Sequence, residues 1–196
     1  MSDLTLDVGQ AVELKEAFRR GDWTNAEIKS LCEGDTLGRV RSVIRGLAEI
    51  KLREHLIDCS TRPFISEGWG VLPDDEQLPN RFRDILNWDS VKLELRLVEG
   101  QQGGRSMTGH QLREVLKAER VLPANLLDYL LKPENQHLIP EEWKTSYVFF
   151  WGTIYCDSGG SLYVRCLDWN GRQWFWSCRW FGSGWGGVDP AALLAS

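Results

Sequence analysis

The chain lacks most of the patterns from which a function is read directly. No run is long and apolar enough to cross a bilayer: the longest, Tyr147 to Cys156, is broken by Gly152 and Thr153. Met1 to Gln10 carries Asp3 and Asp7 and has neither a basic nor an apolar segment, so no secretory signal and no membrane partner are expected. The protein reads as soluble and cytoplasmic. Its five cysteines are odd in number and include no Cys-x-x-Cys pair, which fits reduced thiols better than a disulfide framework. Histidine is scarce, and His55, His110 and His137 stand far from one another and from the cysteines, which argues against a metal site or a catalytic triad. No Gly-x-Ser-x-Gly segment, internal repeat or low-complexity tract occurs. No catalytic residue, metal or cofactor is expected.

Positive charge is also in deficit. With 23 Lys and Arg against 28 Asp and Glu, the net charge of -5 disfavours a protein that coats nucleic acid or an anionic surface by bulk electrostatics. What remains, 42% hydrophobic and 26% charged residues over 196 positions, is ordinary globular composition with enough chain for one good core or two small ones.

The first 48 residues read as three short helices. Val8, Ala11, Val12, Leu14 and Phe18 form an apolar stripe ending at Gly21. Thr24 to Glu27 has the form of a capping box, and Asp35 can cap a third helix whose Val40, Val43, Ile44 and Leu47 repeat at the spacing of one buried stripe. Glu49 to Cys59 then reads as a strand, Pro63 to Pro79 as loop, and Val91 to Leu97 as a strand with one face in and one out. A second capping box at Thr108 and Gln111 starts another helix, Pro123 opens one that stops before Pro133, and Glu134 to Lys144 is a polar connection. Asp189-Pro190 predicts a short terminal helix.

Six of the ten tryptophans fall between Trp151 and Trp185, in three predicted antiparallel strands. Gly160 and the Asn170-Gly171 pair are the turn signals. They set Tyr155 opposite Tyr163, Leu167 opposite Trp174 and Arg165 opposite Trp176. Alternation then gives one face of Ile154, Val164, Cys166 and Phe175. The other face collects Trp151, Tyr155, Tyr163, Trp169, Trp174, Trp176 and Trp180 around Arg165, whose guanidinium can lie over Trp176. Such a face is either covered by helices or binds a partner: another protein, or a polymer with flat groups. Fold class is thus α+β, with an N-terminal three-helix module (1–48) and an α+β body (49–196) ending in the meander 147–181.

Weaker patterns offer other readings. Helices 24–33 and 35–46 have helix-turn-helix proportions, and Arg39, Arg41 and Arg45 could reach DNA. Against that, residues 1–56 hold nine Lys or Arg and ten Asp or Glu. Arg105, Ser106 and Thr108 precede a helix and could hold an anion, although the Lys-Ser/Thr pair of a P-loop is missing. Enzymatic readings rest on Cys59 near Arg62, and on Asp157 and Asp168 as carboxylates beside an aromatic surface. The blocks Trp151-Gly152-Thr153-Ile154-Tyr155, Leu162 to Leu167 and Leu138 to Lys144 resemble those of a group of uncharacterised bacterial proteins. The resemblance extends through His55 to Cys59 and Trp23-Thr24. It implies a bacterial cytosolic origin and carries no activity, ligand or site residue. The leading expectation is a non-enzymatic interaction protein, the alternative a DNA-binding regulator, and the remaining one an enzyme of unassigned class.

Overall fold

The computed structural model describes residues 7–49, 55–88 and 92–195, and the chain divides into two units, Met1–Arg53 and Glu54–Ser196. In the first unit the expected helices form as α1 (Val8–Arg20), α2 (Asn25–Cys32) and α3 (Thr36–Ile44). Capping boxes at Asp7 and Thr24 satisfy the first amide groups of α1 and α2, while Asp35 stands at the start of α3 without a capping bond. No residue of these three helices is buried, so the apolar stripes that the periodicity marks as core stay at least partly exposed.

The second unit is built on a six-stranded sheet. Its strands are β2 (Trp69–Val71), β4 (Leu93–Arg96), β6 (Val148–Asp157), β7 (Leu162–Trp169), β8 (Trp174–Trp180) and β10 (Ala191–Leu194). The order is β4-β10-β6-β7-β8, with β2 also paired to β6. Two small pairs complete the β structure: β1 (Leu56–Asp58) with β3 (Ile85–Asn87), and β5 (Met107–Thr108) with β9 (Gly184–Trp185). Helices α4 (Gly109–Leu116) and α5 (Ala124–Leu130) start where Thr108 and Pro123 predict.

Several expectations are corrected. The segment after Asp189-Pro190 is β10, lodged between β4 and β6, because its Ala191, Ala192 and Leu193 are wanted in the core on both sheet faces. The stretch from Pro63 to Pro79 is not all loop, since Trp69–Val71 joins β6 in antiparallel register. The 134–144 connection is wound into two 3-10 helices and buries Trp143. Of the strand predicted over 91–97, Leu93–Arg96 forms, half-buried at every position, and Val91 lies outside the described residues. Of that predicted over 49–59, β1 forms and residues 50–54 lie outside them.

The meander follows the turn signals, with one shift. Gly160 takes φ +80° and its N–H donates to Asp157 O, which sets Tyr155 opposite Tyr163 as expected. The second reversal uses four residues: Asn170 N–H donates to Gln173 O, and Asn170 Oδ1 accepts from Arg172 and Gln173 N–H. Trp169 therefore faces Trp174, Leu167 faces Trp176 and Arg165 faces Cys178. A shift of two residues preserves the side to which each side chain points, so the aromatic face survives it.

Trp151 does not belong to that face. Between Phe149↔Cys166 and Ile154↔Val164, four residues of β6 stand against one of β7, an odd excess that inverts the alternation. Trp151 consequently packs with Phe149, Ile154, Phe181 and Trp185 on the opposite side. The bulge is held by groups remote in sequence. Gly152 N–H donates to Leu122 O, Thr153 Oγ1 accepts from Ala124 N–H, and the buried Gln77 amide serves both Ile154 N–H and Ile154 O.

Candidate functional site

Sheet position and side-chain direction together define the site on β8. This strand is the edge of the sheet, and Phe181 N–H donates to Leu162 O at 2.9 Å, which fixes the hydrogen-bonding alternation along the β7–β8 ladder. Residues 175, 177 and 179 turn their main-chain groups toward β7, whereas Trp174, Trp176 and Cys178 turn theirs outward. Among the described residues, the N–H and C=O of Trp176 and Cys178 have no hydrogen-bond partner. Trp180 O is taken by Ser183 N–H, which closes the strand at that end.

The predicted aromatic residues divide by depth. Tyr155 and Arg165 are fully buried, Trp174 is buried, Tyr163 and Trp169 are half-buried, and Trp176 and Trp180 remain 36% and 50% exposed. The cover is α5 with the segment around Phe64. Asp128 on α5 accepts from Arg165 Nη1 at 2.8 Å through Oδ1 and from Phe64 N–H through Oδ2. Phe64 O accepts from Tyr155 Oη and from Arg165 Nη1. The Arg165 guanidinium lies 4.7 Å from the centre of the Trp176 ring and 5.2 Å from that of Phe64. Phe64 is itself 52% exposed, so Phe64 and Trp176 form an apolar lip over the buried Arg165 and its half-buried partner Asp128.

Burial also sets the chemistry. Desolvation pushes the Tyr155 hydroxyl up to about 12, against the nearby Arg165 charge that acts to lower it. Cys178 is pushed up by desolvation as well. Arg165 is spent on Asp128, so this face presents apolar surface and main-chain polar groups rather than a free cation. Sequence alone did not find Phe64, Asp128 or Gln77; each acts across at least 37 positions of chain, and no local pattern marks them.

The other candidate residues are placed as follows. Arg41 on α3 and Arg45 at its C-terminal cap are one turn apart and both exposed, while Arg39 lies about 200° round the helix from Arg41. Arg105 donates to Gln102 O and Glu99 O, and Thr108 caps α4 against Gln111, so both are engaged by their own turn; Ser106 stands exposed between them. Asp157 accepts from the N–H groups of Ser161 and Gly159 and from Tyr163 Oη, which holds its carboxyl below the usual range. Asp157 ends β6 beside Ser161, and Asp168 lies near the far end of β7, roughly 20 Å along that strand, too far apart for a glycosidase pair. Cys59 is buried and pushed up to about 12 by desolvation and by Asp58 and Asp84, so it is a thiol at neutral pH. His55 and His137, distant in sequence, bring their rings to 6.3 Å, and His55 Nδ1 shares a 2.7 Å hydrogen bond with Tyr129 Oη. Among the described residues no three His, Cys, Asp or Glu side chains converge as a metal site. No helix there is long and apolar enough to cross a membrane.

Comparison with protein-family models, curated proteins and solved structures returned no significant match.

Proposed function

We propose that the chain is a non-enzymatic interaction protein whose β8 edge receives an extended segment of a partner protein, with apolar or aromatic side chains at alternate positions. The observation that carries this reading is the outward-turned, unpartnered main chain of Trp176 and Cys178, flanked by the exposed rings of Trp176, Trp180 and Phe64. Each main-chain hydrogen bond of an added strand contributes about 0.5–1.5 kcal/mol net, and covering one exposed aromatic ring roughly 1.5–3 kcal/mol. Polypeptide is favoured over the other flat-group polymers because it supplies N–H and C=O groups in strand register. A nucleic acid would also require free cations, and the arginine of this face is already paired. Five free thiols support a cytosolic setting for this interaction.

The test is selection of displayed random peptides against the protein, with Cys178→Pro as the counter-screen. Proline at 178 removes an outward N–H and leaves the ladder to β7 intact. Peptides with alternating apolar residues that lose about tenfold or more in affinity for this variant support the reading. Failure to enrich any peptide, or equal binding to the variant, refutes it.

DNA binding through α3 is the second reading, favoured by Arg41 and Arg45, both exposed and one turn apart. It requires binding to duplex fragments that weakens steeply with salt and is lost in Arg41→Glu. The balanced charge of this unit acts against it.

A further inference from the structure

A cavity of about 490 Å³ opens in the second unit where the Cys59–Pro63 segment, the Val71–Asp74 turn and the Arg81–Arg83 segment meet the Gly152 bulge. Arg62, Arg81 and Arg83 are among the residues that line it and Asp74 is the one acidic residue among them, while the charges of Asp58 and Asp84 reach the Cys59 sulfur at its wall. Arg81 is mostly buried and donates to Asp74 Oδ1 at 2.6 Å; Arg83 donates to Oδ2 at 3.2 Å. One carboxylate thus has each oxygen against a different guanidinium, the disposition an oxyanion takes between paired arginines. Arg62 is exposed and has no ion-pair partner among the described residues. With Asp74 withdrawn, Arg81 and Arg83 each present an unpaired positive charge to the cavity. The remaining lining includes Val71, Leu72, Phe82 and prolines 63, 73 and 123, which offer an apolar surface to an organic group.

From this arrangement we propose that the cavity binds a small organic phosphate as its dianion, with Asp74 as an internal stand-in that the ligand's phosphate displaces from Arg81 and Arg83. A phosphate dianion balances the two charges freed at Arg81 and Arg83 and has a third terminal oxygen left for Arg62, where a carboxylate offers two oxygens and one charge. The site is built to bind and holds no activated nucleophile, since the Cys59 sulfur at its wall remains a thiol. Asp74 sits on the exposed 3-10 turn Asp74–Glu76, so it can withdraw without disturbing the core. The proposal is independent of peptide docking at β8.

The experiment is titration calorimetry with phenyl phosphate, phenyl sulfate and phenol at pH 8, on the wild-type chain and three variants. Phenyl sulfate has the same shape with one charge fewer, and phenol has none. Phenyl phosphate is expected to bind about tenfold or more tightly than phenyl sulfate, and phenol not to bind measurably. Asp74→Asn is expected to bind phenyl phosphate about five- to tenfold more tightly, because it releases two guanidiniums. Arg81→Leu and Arg62→Leu are expected to weaken binding about tenfold each. Arg62 is exposed and unpaired, so its variant reports on the site even if Arg81→Leu fails to fold. The opposite sign of the Asp74 and Arg62 effects is what a general change in stability does not produce. Absence of saturable phenyl phosphate binding, equal affinity for phenyl sulfate, weaker binding by Asp74→Asn, or unchanged binding by Arg62→Leu would each overturn the proposal.

Discussion

The guanidinium of Arg165 on β7 and the carboxylate of Asp128 on α5 stand 2.8 Å apart beneath the Trp176 ring, so a single ion pair joins strand, helix and the aromatic lip of the sheet edge. Arg165 is 2% exposed and its Nε has no hydrogen-bond partner, so the pair with Asp128 is what makes its burial tolerable.

Removing the carboxylate therefore leaves a buried, uncompensated charge. Asp128→Ala is expected to lower stability by about 3 kcal/mol, while the double variant Arg165→Met, Asp128→Leu recovers most of that loss. Urea unfolding monitored by tryptophan fluorescence measures both. A double variant no more stable than Asp128→Ala would show that the pair is not the source of the loss.

The bulge in β6 predicts unequal costs for two glycines. A Cβ on Gly152 would lie 2.7 Å from Pro123 N and 2.8 Å from Leu122 C, main-chain atoms that cannot turn aside. Gly152→Ala should cost about 2–4 kcal/mol. Gly171, with φ +89° and open space around its missing side chain, should cost only about 1 kcal/mol on the same change. Thermal or urea midpoints of the two variants decide the order.

Gln77 makes a parallel prediction. Its amide bonds Leu72 O, Ile154 O and Ile154 N–H from a buried position, so Gln77→Leu leaves main-chain groups at the bulge unserved. The expected loss is about 2–3 kcal/mol, with faster hydrogen exchange at Ile154 N–H as its local signature. Unchanged protection there would place the stabilisation elsewhere.

Alkaline pH should destabilise the fold. Cys59 and Tyr155 are both pushed up to about 12 by burial, above their ordinary values of about 8.5 and 10 in an unfolded chain. An acid whose pKa is raised by folding contributes stability that is full below the unfolded value and is lost as pH rises through the folded one. Stability should thus decline from about pH 9 to pH 12, and Cys59→Ala should flatten the onset of that decline. The same burial predicts that iodoacetamide at pH 8 modifies the exposed Cys32 quickly and the native Cys59 and Cys166 slowly.

Local chemistry wrote the helices and turns into the sequence. Thr24 with Glu27 and Thr108 with Gln111 start helices because a side chain three residues away serves the free amide groups. Gly160 and Gly171 reverse the chain because they accept positive φ angles that other residues resist, and Asn170 Oδ1 closes the second turn by accepting from Arg172 and Gln173 N–H. The aromatic face was legible for a related reason: strand alternation depends on parity, and the four-residue turn moved the register by two.

Long-range contact decided the rest. Trp151 changed face because β6 bulges where Leu122, Ala124 and Gln77 grip its main chain. The segment after Pro190 became a strand because the gap between β4 and β6 offered its alanines and leucine a ladder and a core on both sides. Whether an aromatic ring is buried or open to a partner depends on what lies over it. Asp128 and Phe64 come from segments 37 and 101 positions away from Arg165, a relation set by packing of the folded chain rather than by any local pattern.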